Sequence, residues 1–293
     1  MLWDKGRRSD NVEDAGDSGG GGGPSFGGGR GLGIGGIILL AILGLVFYKD
    51  PTALLSQDGA GAPPQAQQRQ AQPSRPAAAN DPQVDFVRAI LGETEDTWGE
   101  IFAANGQEYT QPKLVLFRNG VRTACGSASS AVGPFYCPGD QRVYLDLGFF
   151  QQMQQQFHES GDFARAYVIA HEVGHHVQNL VGVFAKVNEA RRRGARMEGA
   201  NGLSVRQELQ ADCFAGVWAN HSQQRQHWLQ AGDIESAMNA ATAIGDDALQ
   251  EQAQGRVVPD SFTHGTSAQR VHWFKAGFDS GDIGKCNTFS GSI

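Results

Sequence analysis

The sequence predicts an α+β fold that is mainly helical with a small sheet, preceded by one transmembrane helix and a disordered linker. Three observations lead to this class. Apolar residues recur at helical spacing through most of the second half of the chain. Two short β-branched and aromatic runs are bounded by turn residues, as strands are. Near the N-terminus, 18 residues without a charge precede a segment rich in Pro, Ala and Gln.

Composition divides the chain into four parts. Residues 1–30 are so rich in glycine that we expect a flexible cytoplasmic segment, because such a sequence buries too little surface to offset its chain entropy. Residues 31–48, "GLGIGGIILLAILGLVFY", are nearly long enough to cross a bilayer. We interpret them as a signal anchor, with a cleaved signal peptide as the alternative. Residues 49–80 are expected to be a tether, and residues 81–293 the folded domain.

The distribution of basic residues predicts the orientation of this anchor. Four basic residues precede residues 31–48, and Lys49 is the only one soon after them; the four are Lys5, Arg7, Arg8 and Arg30. The positive-inside rule then places the N-terminus in the cytoplasm and the folded domain outside, in the periplasm or the extracellular space. The predicted localisation is therefore a single-pass protein of the cell inner membrane.

Within the folded part, each element has a local signal. Asp81 is a candidate N-cap before Pro82, at the start of one or two helices. The runs "KLVLFRNG" and "QRVYLDLGFF" predict strands of a small sheet. Helical periodicity then predicts three further helices, around Arg165–Leu180, Val205–His221 and Asp233–Gln254. Gly182 is expected to end the first of these three.

The four cysteines fit an exported domain, where an even number usually forms disulfides. Cys125 with Cys137 would close a short loop, which leaves Cys213 for Cys286. Three pairings are possible in principle, and free buried thiols are the alternative. The net charge of −7, without a long basic block, gives no indication of a nucleic-acid partner.

The sequence "HEVGHH" predicts a metal site on the helix around Arg165–Leu180. Residues four apart lie on one face of a helix, so His171 and His175 can bind the same ion. Glu172 lies between them in sequence and is placed to act as general base for a water. His176 points elsewhere and is expected to be a packing residue. The alternative is an ordinary buried helix that carries histidines.

A catalytic zinc takes three protein ligands, and Glu208 in "VRQELQADCFAGVWA" is the best candidate for the third. A carboxylate amid apolar residues is costly to bury unless it is paired. Asp212, one turn later, could accept the second ring N–H of a ligand histidine. Glu189 and Glu198 are rival third ligands, but they lie in an Arg-rich stretch that is typical of a solvated surface.

"HEVGHH" followed by "ELQAD" resembles the gluzincin metallopeptidases, and therefore implies a zincin-like domain. More closely, the segments "GRRSDNVED", "VYLDLGFF", "ELQADCFAGVWA", "SFTHGTSAQRVHWF" and "CNTF" resemble the bacterial neutral zinc metallopeptidase family of the YpfJ type. The resemblance implies that Glu208 is the third zinc ligand and that Asp212 orients a histidine. It also implies that His264 and Arg270 bind the oxyanion, and that "QRVYLDL" is an edge strand that holds the substrate. The alternatives are that "QRVYLDL" is a plain core strand, that Arg270 pairs with an acid to hold its loop, and that His264 is an exposed loop residue.

Together these observations predict a membrane-anchored, zinc-dependent endopeptidase that acts on a peptide or protein, with Glu172 as general base. Two alternatives stay open. The chain could be a non-catalytic, zinc-stabilised binding module tethered to the membrane, or a zinc amidase that acts on non-peptide amides. The sequence gives no prediction of the oligomeric state.

Overall fold

A computed structural model describes residues 1–17, 75–76, 81–129, 132–151, 153, 161–291 and 293 of the chain. Seven strands are found in these residues: β1 (Val12–Asp17), β2 (Arg75–Pro76), β3 (Lys113–Arg118), β4 (Gly120–Thr123), β5 (Gly126–Ser129), β6 (Phe135–Cys137) and β7 (Arg142–Asp146). The principal α-helices are α1 (Pro82–Ala104), α2 (Asp162–Leu180), α3 (Val183–Arg192), α4 (Leu203–Gln226), α5 (Asp233–Ala243), α6 (Asp246–Gln254) and α7 (Ser267–Ser280). The predicted α+β class, mainly helical with a small sheet, is confirmed for the described residues.

The five-stranded sheet has the order β2-β1-β3-β7-β6, and β4 and β5 form a separate hairpin. Strand β7 pairs in parallel with β3 and antiparallel with β6. The expectation that "QRVYLDL" is an edge strand is therefore wrong, and its alternative, a core strand, is the one observed. Residues 143–146 are all buried, and an internal strand needs both of its neighbours to satisfy its backbone. In the sheet as described, β6 is the last strand on that side.

The N-terminal residues belong to this sheet. Strand β1 pairs in parallel with β3, from Val12 opposite Leu114 to Asp17 opposite Arg118. Val12 is 4% exposed and joins the main hydrophobic core. This differs from the flexible segment that the sequence predicts over residues 1–30. The glycine-rich composition of that segment begins only after the residues that form β1.

The predicted helices are present with one difference, and α3 is a helix that the sequence did not predict. Asp81 caps α1 as expected, because its side chain accepts a hydrogen bond from the Gln83 backbone N–H at 2.8 Å. The single helix expected over Asp233–Gln254 is two helices, because Gly245 adopts an extended conformation between them. The N-cap of α7 is Thr266, which forms a capping box with Gln269.

The motif helix α2 lies at the centre of the domain and packs against α1, α4 and α5. Its Gly174 permits the close approach of α4: a Cβ at this position would lie 3.0 Å from the Ala211 carbonyl oxygen. Glycine inside a helix costs about 1 kcal/mol relative to alanine, and here close packing gives a reason for it. The approach brings the acidic residues of α4 to the histidine face of α2.

Both expected disulfides are present, Cys125–Cys137 and Cys213–Cys286, with Cα atoms 5.8 and 5.5 Å apart. The second joins α4 to the C-terminal segment across 73 residues. A loop of that length corresponds to about 4 kcal/mol of lost chain entropy in the unfolded state. This crosslink therefore stabilises the helix that carries the acidic residues of the site.

None of the described helices combines the length and the apolarity that crossing a bilayer requires. The predicted span, residues 31–48, lies outside the described residues, as does most of the predicted tether over residues 49–80.

Candidate metal centre

Three predicted ligands converge between α2 and α4. The Glu208 Oε2 atom lies 3.2 Å from His171 Nε2 and 3.3 Å from His175 Nε2. The donor atoms of the three residues all lie within 4.8 Å of one another. Ligands about 2 Å from a tetrahedral ion lie about 3.3 Å apart, so this set fits zinc. Both histidines are buried, and the Glu208 side chain is 21% exposed, which leaves the site open on one side.

The rival ligands lie elsewhere. Glu189 is on α3, where its carboxylate pairs with Arg192 and Arg193 at the surface. Glu198 does not belong to the donor cluster found in the described part of the chain. Of the three acids proposed as third ligand, Glu208 is the one whose carboxylate lies beside both histidines in the described residues.

Glu172 follows the first histidine on α2 and is 8% exposed. Burial raises the pKa of its carboxyl above the usual range, and the nearby imidazoles of His171 and His175 oppose that shift. A carboxylate whose pKa is raised is a stronger base than one in water, so it is suited to accept a proton. The placement agrees with the predicted role of general base.

Asp212 lies behind the first ligand, as the sequence predicts. Its Oδ1 atom is 2.8 Å from His171 Nδ1 and accepts a hydrogen bond from the Tyr167 hydroxyl at 2.6 Å. A ring N–H donated to this carboxylate leaves Nε2 free as the metal donor. Burial alone would raise the Asp212 pKa, but Arg270 and His171 outweigh it and lower the pKa to about 2.

Arg270 has a different place from the one that the resemblance implies. Its guanidinium donates to both Asp212 oxygens, from Nε and Nη2, at 2.9 Å each. It also donates to the Ile244 carbonyl and to the Tyr167 hydroxyl. The side chain is 3% exposed and its donors are largely used by these partners. This geometry agrees with the alternative in which Arg270 pairs with an acid, and the acid is Asp212.

Gln178, which the sequence reasoning missed, orients His175 as Asp212 orients His171. Its Oε1 atom lies 2.9 Å from His175 Nδ1. Its amide N–H groups donate to the Gln207 carbonyl and to Gln210 on α4. The spacing of three residues after His175 on the same helix is the signal that could have identified it.

His264 lies on the loop between α6 and α7, and Asp246 holds that loop. The Asp246 Oδ2 atom accepts backbone N–H groups of Thr263, His264 and Gly265 at 2.6, 2.6 and 3.0 Å. Its Oδ1 atom lies 3.2 Å from His264 Nδ1. Burial lowers the His264 pKa, but the Asp246 carboxylate outweighs burial and raises it overall. Asp246 was not identified from the sequence, because the single helix expected over Asp233–Gln254 placed it in a helix interior and not at the start of a helix.

His176 is a packing residue, as expected. Its Nε2 atom lies 2.6 Å from the Thr110 carbonyl oxygen, and its Nδ1 atom lies 3.1 Å from the Tyr136 hydroxyl. Asn179, one turn further along α2, donates to the same hydroxyl. These contacts fix strand β6 against the motif helix.

Comparison with known proteins agrees with this geometry. The profile of a family described as "Putative neutral zinc metallopeptidase" matches residues 1–289. The uncharacterised protein YpfJ of Escherichia coli K12 is 53% identical over the full length of both chains. An uncharacterised protein of Mycobacterium tuberculosis H37Rv is 45% identical over 70% of this chain and 71% of its own. No solved structure matches the chain.

Proposed function

The chain belongs to this zinc metallopeptidase family, and on that basis we propose that it is a zinc-dependent endopeptidase. The observation that carries the proposal is the His171, His175 and Glu208 cluster, with Glu172 buried beside it. A purely structural zinc site is closed by four protein ligands and needs no base. Three ligands and an adjacent carboxylate are the arrangement that hydrolysis requires.

Each residue of the site has a separate task in this proposal. His171, His175 and Glu208 hold zinc, with the two imidazoles oriented by Asp212 and Gln178. When bound, zinc supplies Lewis acidity to a water and to the scissile carbonyl group. Glu172 accepts a proton as the peptide bond is attacked and delivers it to the leaving amine.

His264 is the proposed hydrogen-bond donor to the oxygen that gains negative charge in the transition state. Asp246 holds the His264 backbone, and its carboxylate favours the protonated ring because it raises the ring pKa. Preorganised donors of this kind contribute about 10²- to 10³-fold in rate. This role passes to His264 alone, because Arg270 is engaged with Asp212.

Strand β6 is the proposed site at which an extended peptide pairs with the sheet. In the described part of the sheet it is the last strand beside β7, and Tyr136 anchors it to the motif helix. An edge strand binds peptide backbones by continuing the ladder of hydrogen bonds. We assign this role to β6 and not to β7, because β6 is the outer of the two strands in the described sheet.

The disulfides support an exported location for the catalytic domain. Both pairs are formed, and such bonds persist in oxidising compartments such as the periplasm or the extracellular space. We accordingly propose that the metal centre operates outside the cytoplasm.

The substrate class is tested by incubating the zinc-loaded full chain with a mixture of peptides and, separately, with non-peptide amides. We expect new peptide termini, detected by mass spectrometry, and no release from the amides. Hydrolysis of the amides alone would instead support a zinc amidase. Stoichiometric zinc without hydrolysis of either class would support the zinc-stabilised binding module.

The role of Asp246 predicts a specific change in pH dependence. With Nδ1 of His264 directed at Asp246, the second ring nitrogen donates as well only in the imidazolium form, so kcat should fall as pH rises through the raised pKa of the ring. Asp246→Asn keeps a side-chain oxygen for the loop N–H groups but removes the charge. We expect the alkaline limb of the kcat profile to move to lower pH, with zinc content unchanged.

Asp247→Asn is the matched control, because this neighbouring carboxylate hydrogen-bonds to Ser267 and, among the described residues, makes no hydrogen bond to His264. Its alkaline limb should coincide with that of the parent. If the alkaline limb of the kcat profile coincided with that of the parent in both variants, Asp246 and His264 would have no part in the chemical step.

A further inference from the structure

Residues 7–9 lie against helix α1 at close range. The Ser9 backbone N–H donates to the Arg88 carbonyl at 2.9 Å, and Ser9 is fully buried. A Cβ on Gly92 would lie only 2.5 Å from the Arg7 carbonyl oxygen. Alanine would be favoured by about 1 kcal/mol in an isolated helix. Helix α1 therefore carries a glycine at the point where the N-terminal segment crosses it.

The same segment supplies the partners of a buried acid. The Glu95 side chain is 1% exposed, and a buried carboxylate is costly unless it is paired and hydrogen-bonded. Its hydrogen-bond partners within the described residues all come from the N-terminal segment: Arg7 at 2.7 Å, Ser9 at 2.6 Å and Asn11 at 2.7 Å. The domain thus contains a polar site that the segment fills.

Strand β1 continues this contact into the sheet, and β2 pairs with it antiparallel. Asp14 lies opposite Leu116 of β3 on one side and opposite Arg75 of β2 on the other. The chain therefore leaves the sheet after β1 and returns to the same sheet edge at β2. Both ends of the intervening stretch are fixed to one folded unit.

From these contacts we infer that residues 1–17 and the metal centre lie on the same side of any membrane. Residues 31–48 are nearly long enough for one crossing at about 1.5 Å per residue, and a single crossing there would separate the two parts. Residues 49–74 contain no second apolar run for a return crossing. Docked residues 1–17 are thus incompatible with a single-pass anchor at residues 31–48.

The charge bias that predicts a cytoplasmic N-terminus has a different explanation in this fold. Arg7 pairs with Glu95 and Asp96, and Arg8 pairs with Asp85. Two of the four basic residues in the positive-inside count are therefore engaged in tertiary ion pairs. This inference is independent of the proposed peptidase activity, because it concerns only the packing of the N-terminal segment.

Labelling of single cysteines in cells that express the full chain tests the inference. The native cysteines are all paired, so an introduced thiol is the reactive one. Asp10, whose side chain is 96% exposed, and Lys275, exposed on α7, are each replaced by cysteine. We expect a membrane-impermeant maleimide to label Asp10→Cys and Lys275→Cys to the same extent before permeabilisation. Labelling of one position only after permeabilisation would overturn the inference.

A second experiment tests the docking in the same membranes. Asp10 and Arg88 form an ion pair of 2.8 Å, so a short bismaleimide should link Asp10→Cys to Arg88→Cys within one chain. Adding Gly92→Ala should reduce the yield several-fold, because the new Cβ overlaps the Arg7 carbonyl. Gly99→Ala is the matched control, since its Cβ meets nothing within 4 Å. Failure to crosslink, or equal yields in both glycine variants, would contradict docking.

Discussion

Glu172→Gln is expected to retain zinc and to lose peptide cleavage by a factor of about 10² to 10⁴, the usual scale for removal of a general base. The change keeps the size and shape of a side chain that is 8% exposed, so packing around α2 is preserved. It removes the proton acceptor without touching His171, His175 or Glu208. The measurement is kcat for a cleaved peptide, together with zinc content by atomic absorption.

Glu189→Gln provides the control for this experiment. That carboxylate lies on the surface of α3 and pairs with Arg192 and Arg193, so its loss should leave kcat within about twofold. If Glu172→Gln cleaved peptides at the parent rate with zinc bound, the general base would have to be another group.

Glu208→Ala is expected to lose zinc. The residue supplies one of three protein donors, and its Oε2 atom lies within 3.3 Å of both ligand imidazoles. Loss of an outer-shell partner alone typically weakens metal binding about 10- to 100-fold. Removal of a direct ligand should exceed that, so dialysed protein should contain far less than one zinc per chain. Peptide cleavage should fall with the zinc content.

Glu198→Ala is the matched control, because this rival acid lies outside the donor cluster. It should bind zinc as the parent does. The reverse pattern, with zinc retained in Glu208→Ala and lost in Glu198→Ala, would reassign the third ligand.

The ligand set could be predicted from the sequence because its geometry is local. His171 and His175 share a helix face by their spacing, and Glu208 stands among residues that α4 buries. Asp212 could be predicted in the same way, because it lies one helical turn after Glu208 on the same face of α4. The two disulfide pairs are the ones that the short loop favoured among the three possible pairings.

The features that sequence reasoning missed depend on contacts between distant segments. Asp246 binds a loop that begins 17 residues later, and no periodic pattern records such a contact. The role of Arg270 depends on α7 packing against α4, which places its guanidinium at Asp212 instead of the open side of the site. The family resemblance identified Arg270 as a site residue but did not identify Asp212 as its partner.

The sheet order shows the same limit. The period of two in a strand identifies buried positions but does not say which strands are neighbours. Strand β7 was expected at an edge and is internal, since β6 follows it in space. Strand β1 was not predicted, because the glycine-rich residues that follow it led us to expect a flexible segment. Its pairing with β3 joins residues about a third of the chain apart.

The central claim is most directly tested by titrating metal-free full-length protein with zinc while peptide cleavage is measured. The account predicts that the rate rises in proportion to bound zinc and reaches its maximum at about one zinc per chain, because the donor cluster holds a single ion. A chain that binds one zinc with no cleavage at any point of the titration, or that cleaves peptides equally well without zinc, would contradict it.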